Sequence, residues 1–250
     1  MNPLKKELQE PTQPLDWSTI YADPTKPLIL DIGAGYGRFL LGIMQVEGFA
    51  ASHNGLGLEI REPIIKRANE WAMHLGLNSR VHFEKSNATV SIESMLSTYP
   101  GPVELVAIQF PDPHFKKKHQ KRRIVQEGLV RDLAGVVGVG GRVLLQSDVL
   151  GVAEDMRDKF ERYGDGKWGV DRAHDDAHGV FFEESDEAIE ESGVSDEVSE
   201  EVSDDAAERV VLAFKDKGWL KESILPVRTE RECLVTEQGG SVYRVVLERI

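Results

Sequence analysis

Short apolar runs alternate along this chain with stretches whose apolar residues recur every three or four positions, which predicts strands and helices in turn. Leu28 to Ile32 (LILDI) reads as a first strand, closed by Gly33-Ala34-Gly35-Tyr36-Gly37 and followed by a helical pattern from Arg38 to about Gly48. Gly55 to Ile60 reads as a second strand, and Glu62 to Leu77 as a helix with Pro63 in its first turn, where no amide donor is required. Val81 to Lys85 forms a third strand that closes on Ser86-Asn87-Ala88 before a helix through Ile92 to Leu96. Val103 to Phe110 (VELVAIQF) is a fourth, buried strand. A helix is expected over Gln126 to Val139, ended by Gly140-Gly141. Arg142 to Ser147 follows as a fifth strand, and then a helix with Val152, Met156, Phe160 and Tyr163 on one face. Strands alternating with helices at this rhythm predict an α/β fold, with a mostly parallel central sheet covered by helices on both faces.

Both ends of this pattern are different. Residues 1–25 carry little periodicity beyond Leu15, Trp17, Ile20 and Tyr21, and are expected to form a tail that packs loosely through Trp17. After Gly164 the composition shifts towards Glu, Asp and Ser, and residues 165–208 are expected to be an insertion within a 26–250 domain, disordered or at most transiently helical. Periodicity returns over Arg209 to Trp219. Val242 to Glu248 then makes a terminal antiparallel strand after Gly239-Gly240, consistent with a hairpin at the end of the sheet.

Charge changes the picture next. The net charge of −13 argues at first against a nucleic-acid partner, but thirteen acids and no Lys or Arg lie between Glu183 and Glu208. Without them the remaining acids equal the 30 Lys and Arg in number. A basic run then stands out: six of the eight residues from Lys116 to Arg123 are Lys or Arg. Such a run is a nuclear-localisation signal or a solvated helix start when it stands alone. Here it directly follows Pro111-Asp112-Pro113, where prolines restrict the loop that presents a carboxylate. A cationic arm suits phosphates, while a carboxylate accepts from the amide and amino edge of guanine.

The lone Cys233 excludes an intramolecular disulfide and reads as a packing residue. No apolar run is long enough for a membrane helix, and a cytoplasmic location is expected, with organelle or nucleus open if a presequence was removed or the basic run serves import. His174 and His178 beside Asp175 and Asp176 would make a metal pair only on a helix, and a solvated linker is the simpler reading, so no metal site is expected.

The acid in Asp31-Ile-Gly33-Ala-Gly35-Tyr-Gly37 would repel a dinucleotide's phosphates at the first turn and attract a cationic ligand such as S-adenosylmethionine. Glu59, 22 residues after Gly37, is spaced to take a ribose hydroxyl pair. A nicotinamide site and a purely structural turn remain the alternatives.

These motifs, with Phe110-Pro-Asp112-Pro-His-Phe-Lys116, Lys121-Arg-Arg-Ile-Val, Ser147-Asp148 and Thr229-x-x-Glu232, fall in the order found in the tRNA (guanine-N7)-methyltransferases, which the chain resembles from about Pro27 to Glu161 and from Trp219 to Ile250. The resemblance implies a Rossmann-like methyltransferase fold and methylation of N7 of a guanine in the tRNA variable loop, with S-adenosylmethionine as cofactor. It implies cofactor contacts from Asp31, Gly33, Gly35, Gly37, Glu59, Asn87 and Asp112, with Asp112 at the reaction centre. It implies tRNA contacts from Lys116, Asp148, Thr229, Glu230, Arg231 and Glu232. The Pro-Asp-Pro-His-Phe-Lys form of the motif is similar to eukaryotic members, which can require a WD-repeat protein subunit; otherwise a monomer or homodimer is expected. A same-fold enzyme with another substrate and a non-catalytic tRNA-binding scaffold are the other readings. Either Asp112 or Asp148 could serve as a helix cap instead.

Overall fold

A computed structural model describes residues 2–171 and 219–250. The acidic insertion beyond residue 171, the histidine pair and the periodic stretch before Trp219 lie outside the described residues. Seven strands form one sheet: β1 (Leu28–Ile32), β2 (Asn54–Glu59), β3 (Val81–Lys85), β4 (Val103–Gln109), β5 (Arg142–Ser147), β6 (Trp168–Val170) and β7 (Tyr243–Arg249). Their order is β3-β2-β1-β4-β5-β7-β6. The first five run parallel, and β7 is antiparallel to both β5 and β6.

Apolar residues predominate in the central strands because the sheet is buried on both faces. Leu28, Leu30 and Ile32 of β1 point into one core with α4 (Ala88–Leu96), α5 (Glu127–Val136) and α6 (Leu150–Tyr163). Ile29 points the opposite way, into a second core with α2 (Arg38–Ile43) and α3 (Glu62–His74). Two short helices complete the set, α1 (Trp17–Ile20) and α7 (Glu230–Glu237).

Several boundaries move for local reasons. α2 stops at Ile43, well before Gly48, where φ is +96°. α4 begins earlier than expected because the Asn87 side chain accepts from Thr89 N and caps it. The stretch taken as the start of an insertion contains an ordered strand, β6, anchored by Trp168 packed edge-on against Phe160 at 5.3 Å. Gly239-Gly240 does not turn a hairpin. It ends α7, a helix capped by the Thr229 hydroxyl, and β7 enters between β5 and β6.

The N-terminal residues pack more tightly than a loose tail. Trp17 is buried, stands edge-on to Tyr99 at 5.0 Å, and donates from Nε1 to Thr98 Oγ1 at 3.0 Å.

Candidate active site

The sheet order reverses between β1 and β4, and in such sheets ligands bind at the carboxyl ends of the strands beside that reversal. A cavity of about 430 Å³ opens there. Gly33 follows β1, Glu59 ends β2, Asn87 follows β3, and Asp112 follows β4; all four line it.

The three glycines of the first turn have different reasons to be glycine. Gly33 and Gly35 hold φ of +83° and +53° and face open space, so their backbone is available to a ligand. Gly37 is packed: a Cβ there would lie 2.3 Å from the Phe83 ring. Beneath the turn Asp31 is 4% exposed, and burial pushes its carboxyl up to about 7, with Glu59 adding to the rise. Gln109 offsets part of this shift, although its buried Nε2 completes no well-aligned hydrogen bond among the described residues. A buried carboxylate lacking a cation, beside open glycine backbone, fits the cationic end of S-adenosylmethionine.

Two of the other three expected cofactor residues, Glu59 and Asn87, are already engaged. Glu59 Oε1 accepts from Arg61 Nε at 3.0 Å and Oε2 from Arg61 NH2 at 3.1 Å, so a ribose would share this carboxylate with a guanidinium. Asn87 donates through Nδ2 to Leu8 O at 2.8 Å, and Pro3, Leu4 and Gln9 line the same cavity. The N-terminal segment thus borders the cofactor side of the site.

Asp112 differs from Asp31 in every respect. It is exposed, in a loop without regular structure, between two non-glycine residues of positive φ, Phe110 at +48° and His114 at +46°. Left-handed backbone at such residues is strained and must be held by its surroundings. Arg123 does so: its Nε donates to Pro113 O at 2.9 Å, and its NH1 pairs with Asp155 of α6 at 3.1 Å. Arg123 is therefore a clamp on the loop and not a free part of the cationic arm. The rest of the arm forms a 3-10 helix over Lys117–Arg122. Lys121 and Arg122 face the cavity, whereas Lys116, Lys117 and Lys118 are exposed beyond its lining.

The final expected cluster is assembled by α7. Thr229 caps the helix, Glu230 pairs with Arg38, and Arg231 pairs with Asp148. Glu232 is 2% exposed and pairs with buried Arg244 at 3.0 Å, so it faces inward and not towards solvent. Neither Asp112 nor Asp148 caps a helix. Sequence reasoning missed Arg61, Gln109 and Arg244, and placed Arg123 in the basic arm without separating it as a clamp. The signal for the two inner ones was a polar residue interrupting an otherwise apolar strand.

This strand order, the open glycine turn above a buried acid and the facing acidic loop define a Rossmann-like, S-adenosylmethionine-dependent methyltransferase. The profile of a family described as putative methyltransferase matches residues 25–179. A tRNA (guanine-N(7)-)-methyltransferase from Trichormus variabilis is 39% identical, covering 100% of this chain and 94% of that protein. One from Synechocystis sp. is 44% identical, covering 100% and 95%. The chain belongs to the tRNA (guanine-N7)-methyltransferase family. A solved rRNA methylase from Streptococcus thermophilus aligns over 94% of this chain and 92% of its own at 10% identity, but a TM-score of 0.44 is too low to add to the argument. Among the described residues no helix is long and apolar enough to cross a membrane.

Proposed function

We propose that this chain transfers a methyl group from S-adenosylmethionine to N7 of a guanine in the variable loop of tRNA, in the cytoplasm and without a WD-repeat subunit. The observation that carries this reading is the pair of carboxyl groups towards the ends of adjacent strands: Asp31 is buried beneath the glycine turn whose Gly33 lines the cavity, and Asp112 is exposed on the wall of that cavity. One suits a cationic cofactor and the other a guanine edge. The relatives that match over nearly their whole length, from Trichormus variabilis and Synechocystis sp., are of the bacterial type, which supports the reading without a WD-repeat subunit.

N7 of guanine carries an in-plane lone pair and no proton, so the site needs no base. The bound cofactor supplies an electrophilic methyl group; the S–CH₃ bond breaks as the N7–CH₃ bond forms, leaving S-adenosylhomocysteine. The chain's own residues align and stabilise. Asp31 and Glu59 hold the cofactor, with Gly33 and Gly35 allowing close approach. Asp112 accepts from N1–H and the amino group of guanine, bonds that strengthen as positive charge develops on the purine. Lys121 and Arg122 at the cavity wall, with Lys116 outside it, neutralise backbone phosphates. Arg231, now paired with Asp148, is a further phosphate ligand once that pair opens.

The test is methyl transfer from labelled cofactor to unmodified tRNA by the purified chain, followed by cleavage at N7-methylguanine. Label at a variable-loop guanine is expected. Cofactor and tRNA binding without label would overturn the claim that the chain acts alone, and label elsewhere would overturn the position.

A further inference from the structure

Three polar side chains cross the sheet in one row on the face of the second core, and a fourth, Asp31, whose register partner is Ala107, lies diagonally from it. Asp31 lies in β1; Gln109 and Gln146 are register partners in β4 and β5; Gln146 and Arg244 are register partners in β5 and β7. Gln146 is fully buried, Arg244 is 4% exposed, and Glu232 of α7 closes the row at 2% exposure. A buried amide can be placed two ways round, and only its neighbours decide which. Here they do. Arg244 donates from Nε to Gln146 Oε1 at 3.3 Å, and Glu232 Oε2 accepts from Gln146 Nε2 at 3.3 Å. Rotating Gln146 by half a turn would set its oxygen against a carboxylate and its NH₂ against a guanidinium. With Gln146 fixed, its Nε2 also donates to Gln109 Oε1 at 2.8 Å. The Gln109 NH₂ group must then face away from Gln146, towards Asp31.

We infer that Glu232 and Arg244 set the orientation of Gln146 and hence of Gln109, so that the NH₂ end of that amide and not its oxygen is turned to the Asp31 carboxylate, which makes all four positioning residues that tie the α7 segment to the cofactor end of the site. The inference rests on the reading of Asp31 as a cofactor ligand. It gives Glu232 a role its burial permits. It also gives the two halves of the site a physical connection: α7 carries Thr229, Glu230 and Arg231 on the tRNA side, and any shift of Glu232 reaches Asp31 through two amides. If that row fails, Gln109 is free to present its oxygen to Asp31, which disfavours the ionised carboxylate needed by a cation.

The remaining groups around Asp31 do not substitute for this device. Glu59 at the end of β2 is a like charge and is already paired with Arg61, while Tyr36 of the glycine turn faces Arg61. β4 contributes only the neutral Gln109.

The experiment is equilibrium binding of S-adenosylmethionine to the full chain from pH 5.5 to 8.5 without tRNA. In the wild type affinity rises with pH as Asp31 ionises near 7. Gln109→Leu is expected to move that midpoint up by about one unit, because the polar NH₂ group that favours the ionised form is replaced by an apolar side chain. Glu232→Gln is expected to move it the same way by a smaller step, about threefold in affinity at pH 7. Because a lone buried arginine can unfold the protein, the combined Glu232→Met, Arg244→Met variant removes both charges together and is expected to fold and show the same shift. A merely structural row would lower the melting temperature and leave the midpoint in place. Unmoved midpoints in Glu232→Gln and in the folded double variant would overturn the inference. An Asp31→Asn variant that binds like wild type across the whole range would overturn the cofactor reading, and this inference with it.

Discussion

Asp31 is buried in β1 beneath the glycine turn and Asp112 stands on the cavity wall beyond the neighbouring β4, and the chain treats the two in opposite ways. Asp31 is buried under backbone that faces open space, its carboxyl raised by burial, with a neutral amide as its nearest aid. Asp112 stands exposed between two strained residues in a loop pinned by Arg123. The first arrangement makes a carboxylate that is costly to ionise until a cation arrives, which is a binding device. The second holds an exposed carboxylate in place, which is an alignment device.

The largest effect is expected where alignment is broken. Asp112→Asn should slow methyl transfer by about 10²-fold, as loss of a transition-state hydrogen-bond acceptor does elsewhere, with cofactor and tRNA affinity changing only a few-fold. Rate assays beside equilibrium binding check this; a matched loss in affinity would mean that Asp112 binds and does not align.

Next in size is the pH behaviour of Asp31. Its folded value of about 7 lies above the ordinary 3.8, so its contribution to stability is fully present below 3.8 and is lost as pH rises through 7. Without cofactor, the melting temperature of the wild type should therefore fall between about pH 4 and 7 relative to Asp31→Asn, which has no such group to ionise. Saturating S-adenosylmethionine should restore it at pH 7 and above. Parallel melting profiles for the two proteins would contradict a buried, cation-seeking Asp31.

A smaller effect separates two basic residues of one run. Arg123→Ala should cost about 1 to 3 kcal/mol of stability, since it breaks charged hydrogen bonds at a part-buried site, and should slow transfer by loosening the loop of Asp112. The smallest effect belongs to exposed Lys117. Its replacement by Ala should leave stability unchanged and reduce the salt slope of tRNA binding by roughly 0.7 to 0.9. Denaturant unfolding and salt titration distinguish the pair; similar results for both would mean that Arg123 is only another phosphate contact.

Much of the fold was legible because apolar runs and glycine turns mark parallel strands well. β1, β3 and β5 fall where the runs of Leu28 to Ile32, Val81 to Lys85 and Arg142 to Ser147 place them. β6 was not legible: three residues among glycines and charges owe their strand to Trp168 packing on Phe160, a contact that the local pattern does not contain. α7 was hidden because its inward residues include Glu232, so no stripe of apolar residues marks a helix there. In the site, Asp31, Glu59 and Asp112 could be found as acids at strand ends. Arg123 could not be told from its five basic neighbours, because what distinguishes it is Asp155 on a helix thirty residues away. The same holds for Gln109, Gln146 and Arg244, whose shared row exists only once three strands are in register.

The division of labour between the two carboxyl groups is tested most directly by single-turnover methyl transfer to tRNA at pH 8 over a range of S-adenosylmethionine concentrations, with Asp31→Asn and Asp112→Asn measured side by side. The account predicts that Asp31→Asn needs more cofactor but approaches the wild-type rate at saturation, while Asp112→Asn saturates normally and stays slow. It is contradicted if Asp112→Asn regains the wild-type rate at high cofactor, or if Asp31→Asn saturates at wild-type concentrations and remains slow.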